Sequence, residues 1–457
     1  MKKGVFTLTL ISLAIVSCAE ISGSSTSSTS SYTPGVNECV IRFETILFTD
    51  ENYETFEISK ITPYHDYYFD ASGNVFNKEL ALVSFASYAA STEKETADAF
   101  FASIGFDNVY HSPDFDVPET VDTVKYNFAH KKIGEYDLIA ISMSALYAKP
   151  WVSNVTVGKT GNAQGFQDGA NKVLAALRTY MDSYKNNKIK IWLTGHSRTA
   201  AIANLMAETL LDEENPLFTD DTMFCYAFEA PTCLDVNLKK EHASIHNIIN
   251  KEDIVQAIYP SCYGLTRAGH DIDITNENVD KLVNDFDPRL HLTPSNSIEG
   301  MPKGKDFVNF LVAELTRPVS SEDEEYGYAP DLATREHYVD NGYQEYLATM
   351  FQTMFGIKAK NFLDFVERIM ELGVGAVSLI SDDVAYELFA EVLDANDETY
   401  DKEKLKAAFN GLIRMLRTNC LSIMLTMVMP DTINDYVRAV QNHGLEVILP
   451  CLLAYNG

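Results

Sequence analysis

The segment Gly195-His196-Ser197 lies between an apolar strand-like run and an apolar helix-like run. A Gly-x-Ser in this context can place a serine on a sharp strand-to-helix turn, with its Oγ exposed beside the unpaired N–H groups of the helix N-terminus. Gly195 is expected because the backbone approaches itself closely at such a turn. The segment predicts a nucleophilic Ser197. On this pattern alone, a serine that only caps the helix remains an alternative.

A serine nucleophile requires an imidazole to take its proton and a carboxylate to orient that imidazole. Asp253 follows the apolar run 245–249. We therefore expect it at the carboxyl end of a strand, where ligands bind in open α/β sheets. Because the chain has 65 acidic residues, a solvated loop aspartate is the alternative interpretation of Asp253.

Four histidines follow Asp253 and could complete the order Ser, Asp, His along the chain. His270 is only 17 residues further on, and His291 lies in a polar loop, so we expect both at the surface. His337 lies at a predicted helix start. His443 immediately precedes the apolar run that ends the chain. His337 and His443 are therefore the two candidate bases.

Apolar periodicity predicts how these residues are positioned. Strand-like and helix-like runs alternate, which predicts a mostly parallel sheet with helices on its faces: strands at 137–143, 189–194, 224–228 and 245–249, and helices at 166–184 and 200–211. Two further helices are expected between Asn77 and Phe106. From about residue 340 only helices are predicted, at 346–357, 362–372, 385–393 and 402–429. If His443 is the base, these helices form an insertion that covers the pocket as a cap or lid.

Several stretches around these residues resemble the class 3 lipase family, which has the α/β-hydrolase fold, and in particular its bacterial secreted branch. The stretches are Phe76-Asn77-Lys78-Glu79-Leu80-Ala81, Trp151-Val152-Ser153-Asn154 before Gly165-Phe166, Gly195-His196-Ser197-Arg198, Ile248 to Val255, and Tyr263-Gly264-Leu265-Thr266-Arg267. The resemblance implies a Ser197, His443, Asp253 triad that cleaves acyl esters or lipids without a metal or cofactor. His443 resembles the closing His-x-x-Glu of bacterial members and is favoured, whereas His337 resembles the His-Tyr of short fungal members.

The resemblance also implies an oxyanion hole formed by the backbone N–H groups of Arg198 and Ser144. Here the sequence departs from the family, because Met143-Ser144 stands where Arg-Gly is usual and Thr199 replaces the last glycine of Gly-x-Ser-x-Gly. Losing one oxyanion donor costs about 3 kcal/mol of transition-state stabilisation. A catalytically degenerate surface lipoprotein with a binding or structural role is therefore the alternative function. A peptidase or thioesterase would share the same triad.

The N-terminus predicts export. Lys2 and Lys3 precede an apolar run that is too short to span a membrane and ends before Cys18. This resembles a bacterial lipobox, so 1–17 is expected to be a lipoprotein signal peptide and Cys18 the lipidated first mature residue. A plain signal peptide is the alternative. The Ser/Thr-rich segment 18–36 is a predicted tether. The expected location is a bacterial cell surface or periplasm, with the protein held at the membrane by the lipid.

Composition restricts the partners. With 36 basic and 65 acidic residues the formal charge is −29, which disfavours nucleic acid. The six cysteines other than Cys18 lack C-x-x-C spacing, and most are expected to be buried free thiols. The acidic run 322–325 lacks calcium-ligand spacing, so no metal is expected. The predicted domains are an α/β-hydrolase core at 37–339, a helical cap-like insertion at 340–435 and a C-terminal core segment at 436–457.

Overall fold

A computed structural model gives the arrangement of the chain. The residues it describes are 37–48, 53–120, 122–145, 151–154, 156–184, 187–214, 216–253, 255–257, 259, 261–292, 335–336, 382–395, 438 and 441–456. The predicted signal peptide, Cys18, the tether and His337 lie outside these residues, as do the predicted helices 346–357, 362–372 and 402–429.

The described residues fall into two compact units. The larger one contains a seven-stranded sheet with the order β11-β9-β7-β6-β5-β4-β3. Its strands are β3 (Asp107–His111), β4 (Lys125–Ile133), β5 (Tyr136–Ser144), β6 (Lys188–His196), β7 (Met223–Phe228), β9 (Ile245–Ile249) and β11 (His270–Asp273). From β5 to β11 neighbouring strands are parallel, whereas β3 and β4 extend one edge by antiparallel pairing.

The central strands form where the sequence is continuously apolar. β5, β6 and β7 are buried over nearly their whole length, as expected of parallel strands covered on both faces. Four predicted strands are confirmed, because β5, β6, β7 and β9 each match a predicted run to within two residues at either end.

Helices flank the sheet. They are α1 (Lys78–Ala90), α2 (Lys94–Ser103), α3 (Trp151–Asn154), α4 (Gln164–Met181), α5 (Arg198–Leu211), α6 (Val279–Phe286) and, at the chain end, α8 (Leu445–Ala454). The two helices expected between Asn77 and Phe106 are confirmed, and the Asn77 side chain caps α1 by accepting from Leu80 N at 2.9 Å. The predicted helices 166–184 and 200–211 correspond to α4 and α5.

One long and one short antiparallel pair complete the larger unit. β1 (Glu38–Phe48) pairs with β2 (Tyr53–Pro63), and β8 (Leu234–Asp235) pairs with β10 (Leu265–Thr266). Cys39 and Ile41 of β1 enter the same hydrophobic core as Val447 and Leu449 of α8. The end of the chain is therefore built into the core of this unit.

In the smaller unit the described residues include one long helix, α7 (Asp382–Ala395), which contains the predicted helix 385–393. Within the described residues, none of the helices combines the length and apolar character that crossing a bilayer requires. Cys39, Cys225, Cys233 and Cys451 are buried free thiols, as predicted for most cysteines. Cys262 is a free thiol at the surface, and Cys420 lies outside the described residues.

Candidate active site

The turn between β6 and α5 has the geometry of a nucleophile elbow. β6 ends at His196, α5 begins at Arg198, and Ser197 between them has φ 54° and ψ −125°. A non-glycine residue at positive φ costs on the order of 1 kcal/mol or more and is typical of functional turns. A Cβ on Gly195 would lie 2.4 Å from the Thr199 carbonyl oxygen, so only glycine fits at this position, two residues before Ser197.

The capping alternative for Ser197 is wrong. Ser197 occupies the N-cap position of α5, but its side chain makes no capping hydrogen bond. The backbone instead fixes the residue, because Ser197 N donates to Phe228 O of β7 at 2.9 Å and Ser197 O accepts from Ala200 N at 3.0 Å. Ser197 is half-buried.

Asp253 and His443, which are 190 residues apart in sequence, are in direct contact. Nδ1 of His443 lies 2.6 Å from Oδ2 of Asp253, and both residues are buried, with exposures of 4% and 0%. The other oxygen, Oδ1, accepts from Val255 N at 2.7 Å. Asp253 is therefore not a solvated loop residue. A carboxylate held at both oxygens fixes the orientation and the tautomer of the imidazole.

His443 lies against the elbow through His196. Nε2 of His196 donates to the His443 carbonyl oxygen at 3.0 Å, and the two rings are 4.6 Å apart. Burial lowers the pKa of His196 well below its ordinary value, so this donor is a neutral imidazole. Among the described residues, Nε2 of His443 is buried and has no hydrogen-bond partner. The structure thus brings His443 to Asp253 and next to the Ser197 segment without a hydrogen bond between His443 and Ser197.

The two residues of the expected oxyanion hole flank the elbow. Arg198 is the first residue of α5, and Ser144 is the last residue of β5. Ser144 is fully buried, and among the described residues its hydroxyl lacks a hydrogen-bond partner. A buried unpaired hydroxyl is uncommon and calls for a ligand or another partner.

Thr199 fits the elbow although the family pattern has glycine there. Its hydroxyl accepts from His196 N at 3.0 Å and lies 3.2 Å from the Met143 carbonyl oxygen and 2.9 Å from the His196 carbonyl oxygen. The branched side chain is therefore buried with its polar atom satisfied, and it connects the end of β5 to the start of α5. This departure from the family pattern is accommodated by hydrogen bonds.

The Arg198 side chain connects the elbow to the stretches around α3 and α4. Its guanidinium donates to Oδ1 of Asn154 at 2.9 Å and to the Gly165 carbonyl oxygen at 3.2 Å. Burial lowers the pKa of Arg198 to about 10. Two of the stretches that suggested the family resemblance thus meet at one side chain.

Sequence reasoning missed Glu229. This residue directly follows β7, has φ 49° and is fully buried. Its carboxyl accepts from Asn250 N at 2.8 Å, and burial, followed by the charge of Asp253, raises the pKa of Glu229 well above its ordinary value. The available signal was a single acid inside the otherwise apolar run 223–230.

The other downstream histidines lie as follows. His270 and His291 are exposed, as expected. Nε2 of His270 lies 3.0 Å from Nδ1 of the buried His246. His337 lies outside the described residues, so its position relative to Asp253 stays untested.

One group of side chains in the described residues has the spacing of metal ligands. The donor atoms of Glu208, Asp212 and His242 lie within 4.8 Å of one another, at the end of α5 opposite Ser197. His242 pairs with Asp212 at 3.0 Å, and Lys240 pairs with Asp212 at 2.9 Å. The group is thus an ion-pair cluster remote from the elbow.

Comparison with known proteins agrees with this geometry. Residues 140–263 match the family described as Lipase (class 3). This part of the chain is similar to class 3 lipases. Its mostly parallel sheet and flanking helices form an α/β-hydrolase fold, as predicted. The matched range contains Ser197 and Asp253, whereas His443 lies beyond it. A search among curated proteins returned no match.

Similar solved structures include fungal lipases. A triacylglycerol lipase whose catalytic centre is described as a serine protease triad is 18% identical, with 45% of this chain and 83% of that chain covered and a TM-score of 0.34. The Rhizomucor miehei triacylglyceride lipase is 17% identical, with 45% of this chain and 83% of that chain covered and a TM-score of 0.33. Lipase II from Rhizopus niveus is 13% identical, with 46% of this chain and 79% of that chain covered and a TM-score of 0.30.

Proposed function

We propose that this class 3 lipase-like chain is a serine ester hydrolase in which Ser197 is the nucleophile, His443 the base and Asp253 the residue that orients it. One observation carries the proposal. His443 binds Asp253 through Nδ1, and its buried Nε2, which has no hydrogen-bond partner within the part of the chain that the structure describes, lies beside an elbow that holds Ser197 at positive φ. The unpaired nitrogen is the one that must accept the serine proton.

The proposed reaction has two halves. Nε2 of His443 takes the proton of Ser197 as Oγ attacks the ester carbonyl carbon, and the C=O π electrons move onto the oxygen. The C–O bond then breaks, and the imidazolium returns the proton to the leaving alcohol. A water molecule, deprotonated by the same nitrogen, then attacks the acyl carbon. The C–Oγ bond breaks, the imidazolium returns the proton to Oγ of Ser197, and the acid product leaves.

The developing oxyanion requires donors. The N–H groups of Arg198 and Ser144 are the proposed pair. The Ser144 hydroxyl, which has no partner among the residues that the structure describes, is an additional donor. The hydrogen bonds of Thr199 support this assignment, because they fix the end of β5 relative to α5 without the glycines of the family pattern. The proposed substrates are carboxylic esters, with acylglycerols or other lipids as the expected class, and the chemistry draws on side chains, backbone N–H groups and water.

Turnover of p-nitrophenyl esters of graded acyl length by the purified protein tests this function. We expect hydrolysis that Ser197→Ala abolishes while the thermal transition of the protein stays intact. Amide and thioester analogues should be turned over more slowly than oxygen esters. A folded wild-type protein that binds these esters but does not cleave them would favour the degenerate binding protein instead.

We also propose that the protein is an extracytoplasmic lipoprotein held at the membrane by acylated Cys18. The basic start, the apolar run and the position of Cys18 support this proposal. In a bacterial host, Cys18→Ala should move the protein from the membrane fraction to the soluble extracytoplasmic or unprocessed fraction and abolish incorporation of labelled fatty acid. Unchanged membrane association and labelling would contradict the anchor.

A further inference from the structure

Glu229 combines two unfavourable features that the fold alone does not require. Its backbone is left-handed, with φ 49°, which favours glycine or asparagine over glutamate. Its side chain is fully buried, which penalises a carboxylate. The backbone is nevertheless held in place, because Glu229 N donates to Ile248 O of β9 at 2.9 Å. A strained position that carries a buried acid is typical of a functional site.

The partners of Glu229 define its protonation. Oε1 accepts from Asn250 N at 2.8 Å, and Nε2 of Gln256 lies 3.4 Å from Oε2. Burial, and after it the charge of Asp253, raises the pKa of Glu229 well above its ordinary value, which favours the neutral acid. Asn250, which donates to Glu229, also accepts from Asp253 N at 2.9 Å through its carbonyl oxygen, so Glu229 is tied to the turn that carries Asp253. Asp253 itself accepts from His443 and Val255.

We propose that Glu229 is a positioning residue of the catalytic site: as a neutral acid it donates a hydrogen bond to Asp253 and so holds the carboxylate that orients His443. This inference rests on the proposed function. The pair carries one negative charge, which keeps a single ionised partner for the imidazolium that forms during the reaction. Arg267 also faces Glu229, but its guanidinium is paired with Asp271 at 2.5 Å and donates to the Ala230 carbonyl oxygen at 3.1 Å.

Kinetic pH profiles of two variants test the proposal. Glu229→Gln keeps a donor toward Asp253 and an acceptor for Asn250 N, so kcat/KM should stay within about threefold of wild type. Because Glu229→Gln replaces a neutral group by a neutral group, the midpoint of the acidic limb of the pH profile should stay within about 0.3 pH units of the wild-type midpoint. Glu229→Leu removes both hydrogen bonds, and kcat should fall about tenfold to a hundredfold, with KM nearly constant.

Glu208→Gln is the matched control. Glu208 is another buried acid, with 5% exposure, but it lies at the far end of α5. Its replacement should change stability and leave kcat/KM unaltered. If the acidic limb of Glu229→Gln moves down by about half a unit or more, Glu229 was charged, since loss of a negative charge disfavours protonation of His443. That shift overturns the proposal, as would wild-type kcat in Glu229→Leu or equal losses in both variants.

Infrared difference spectra separate this inference from the proposed function. At pH 7 the wild-type protein should show a carbonyl band of a protonated carboxylic acid that Glu229→Gln removes. This measurement does not require turnover, so an inactive wild-type protein with the band refutes the hydrolase function and supports the Glu229–Asp253 hydrogen bond. An active wild-type protein without the band retains the function and refutes the role of Glu229.

Discussion

The substitution Gly195→Ala tests the elbow geometry most stringently. An added Cβ would lie 2.4 Å from the Thr199 carbonyl oxygen, 2.5 Å from its carbonyl carbon and 2.9 Å from Ala200 N. All three atoms are backbone, so relief requires α5 to move away from β6. Ordinary contact begins near 3.4 Å, and the elbow must therefore shift by about 1 Å. A displacement of that size costs about a hundredfold in rate, and overpacking costs about 1 to 3 kcal/mol of stability.

The assay for Gly195→Ala is kcat/KM on a soluble p-nitrophenyl ester, together with the free energy of unfolding from urea denaturation. Gly169→Ala is the matched control. Gly169 lies in α4, and a Cβ there would meet the movable end of the Ile202 side chain at 2.6 Å rather than a backbone atom. This control should keep its rate within about threefold of wild type. If Gly195→Ala folds with wild-type stability and wild-type kcat/KM, the close approach at the elbow is not a catalytic requirement, and the reasoning is refuted.

Three further predictions concern the acid, the replaced glycine and a buried histidine. Asp253→Asn should lower kcat by about a thousandfold or more in a folded protein, because an amide cannot fix the imidazole tautomer; a loss of less than tenfold contradicts its role. Thr199→Val should cost about 1 to 3 kcal/mol of unfolding free energy by leaving His196 N and the Met143 carbonyl oxygen unpaired, whereas Thr199→Ser should stay close to wild type; equal stabilities would show that the hydroxyl is dispensable. Burial lowers the pKa of His246 to about 4. Its neutral form therefore stabilises the fold fully above pH 6.5, and up to about 3 kcal/mol is lost as the pH falls from 6.5 through 4. His246→Gln should flatten this part of the stability profile, and an unchanged slope would contradict the assignment.

The local features of the site were predictable because they depend on short-range patterns. An apolar run, Gly-x-Ser and a second apolar run are sufficient to predict β6, the elbow and α5, and each appears within a few residues of its expected bounds. Asp253 is predicted as the acid from its position after a strand, and the structure places that strand, β9, at Ile245–Ile249. These inferences need only strand length, helix periodicity and the rule that ligands bind at the carboxyl ends of parallel strands.

The unpredicted features depend on contacts between distant segments. The antiparallel pair β1 and β2 lacks a tight-turn signature, and no periodicity shows that β3 and β4 extend the sheet edge. In the sequence, Thr199 in place of glycine resembles a defect. Its hydroxyl is satisfied only by groups that the fold brings near it, such as the Met143 carbonyl oxygen, and the sequence does not show those groups. Glu229 could not be assigned for the same reason, since its burial and its contact with Asp253 exist only in three dimensions.

The most direct test of the central claim is the site of covalent attack by a fluorophosphonate, identified by peptide mass spectrometry. The wild-type protein should be modified at Ser197 alone. Labelling should be lost in Ser197→Ala and slowed by about a thousandfold in His443→Ala, because the serine would lack its base. Folded wild-type protein that is not modified, or is modified at another serine, would contradict the proposal that Ser197 is a nucleophile activated by His443.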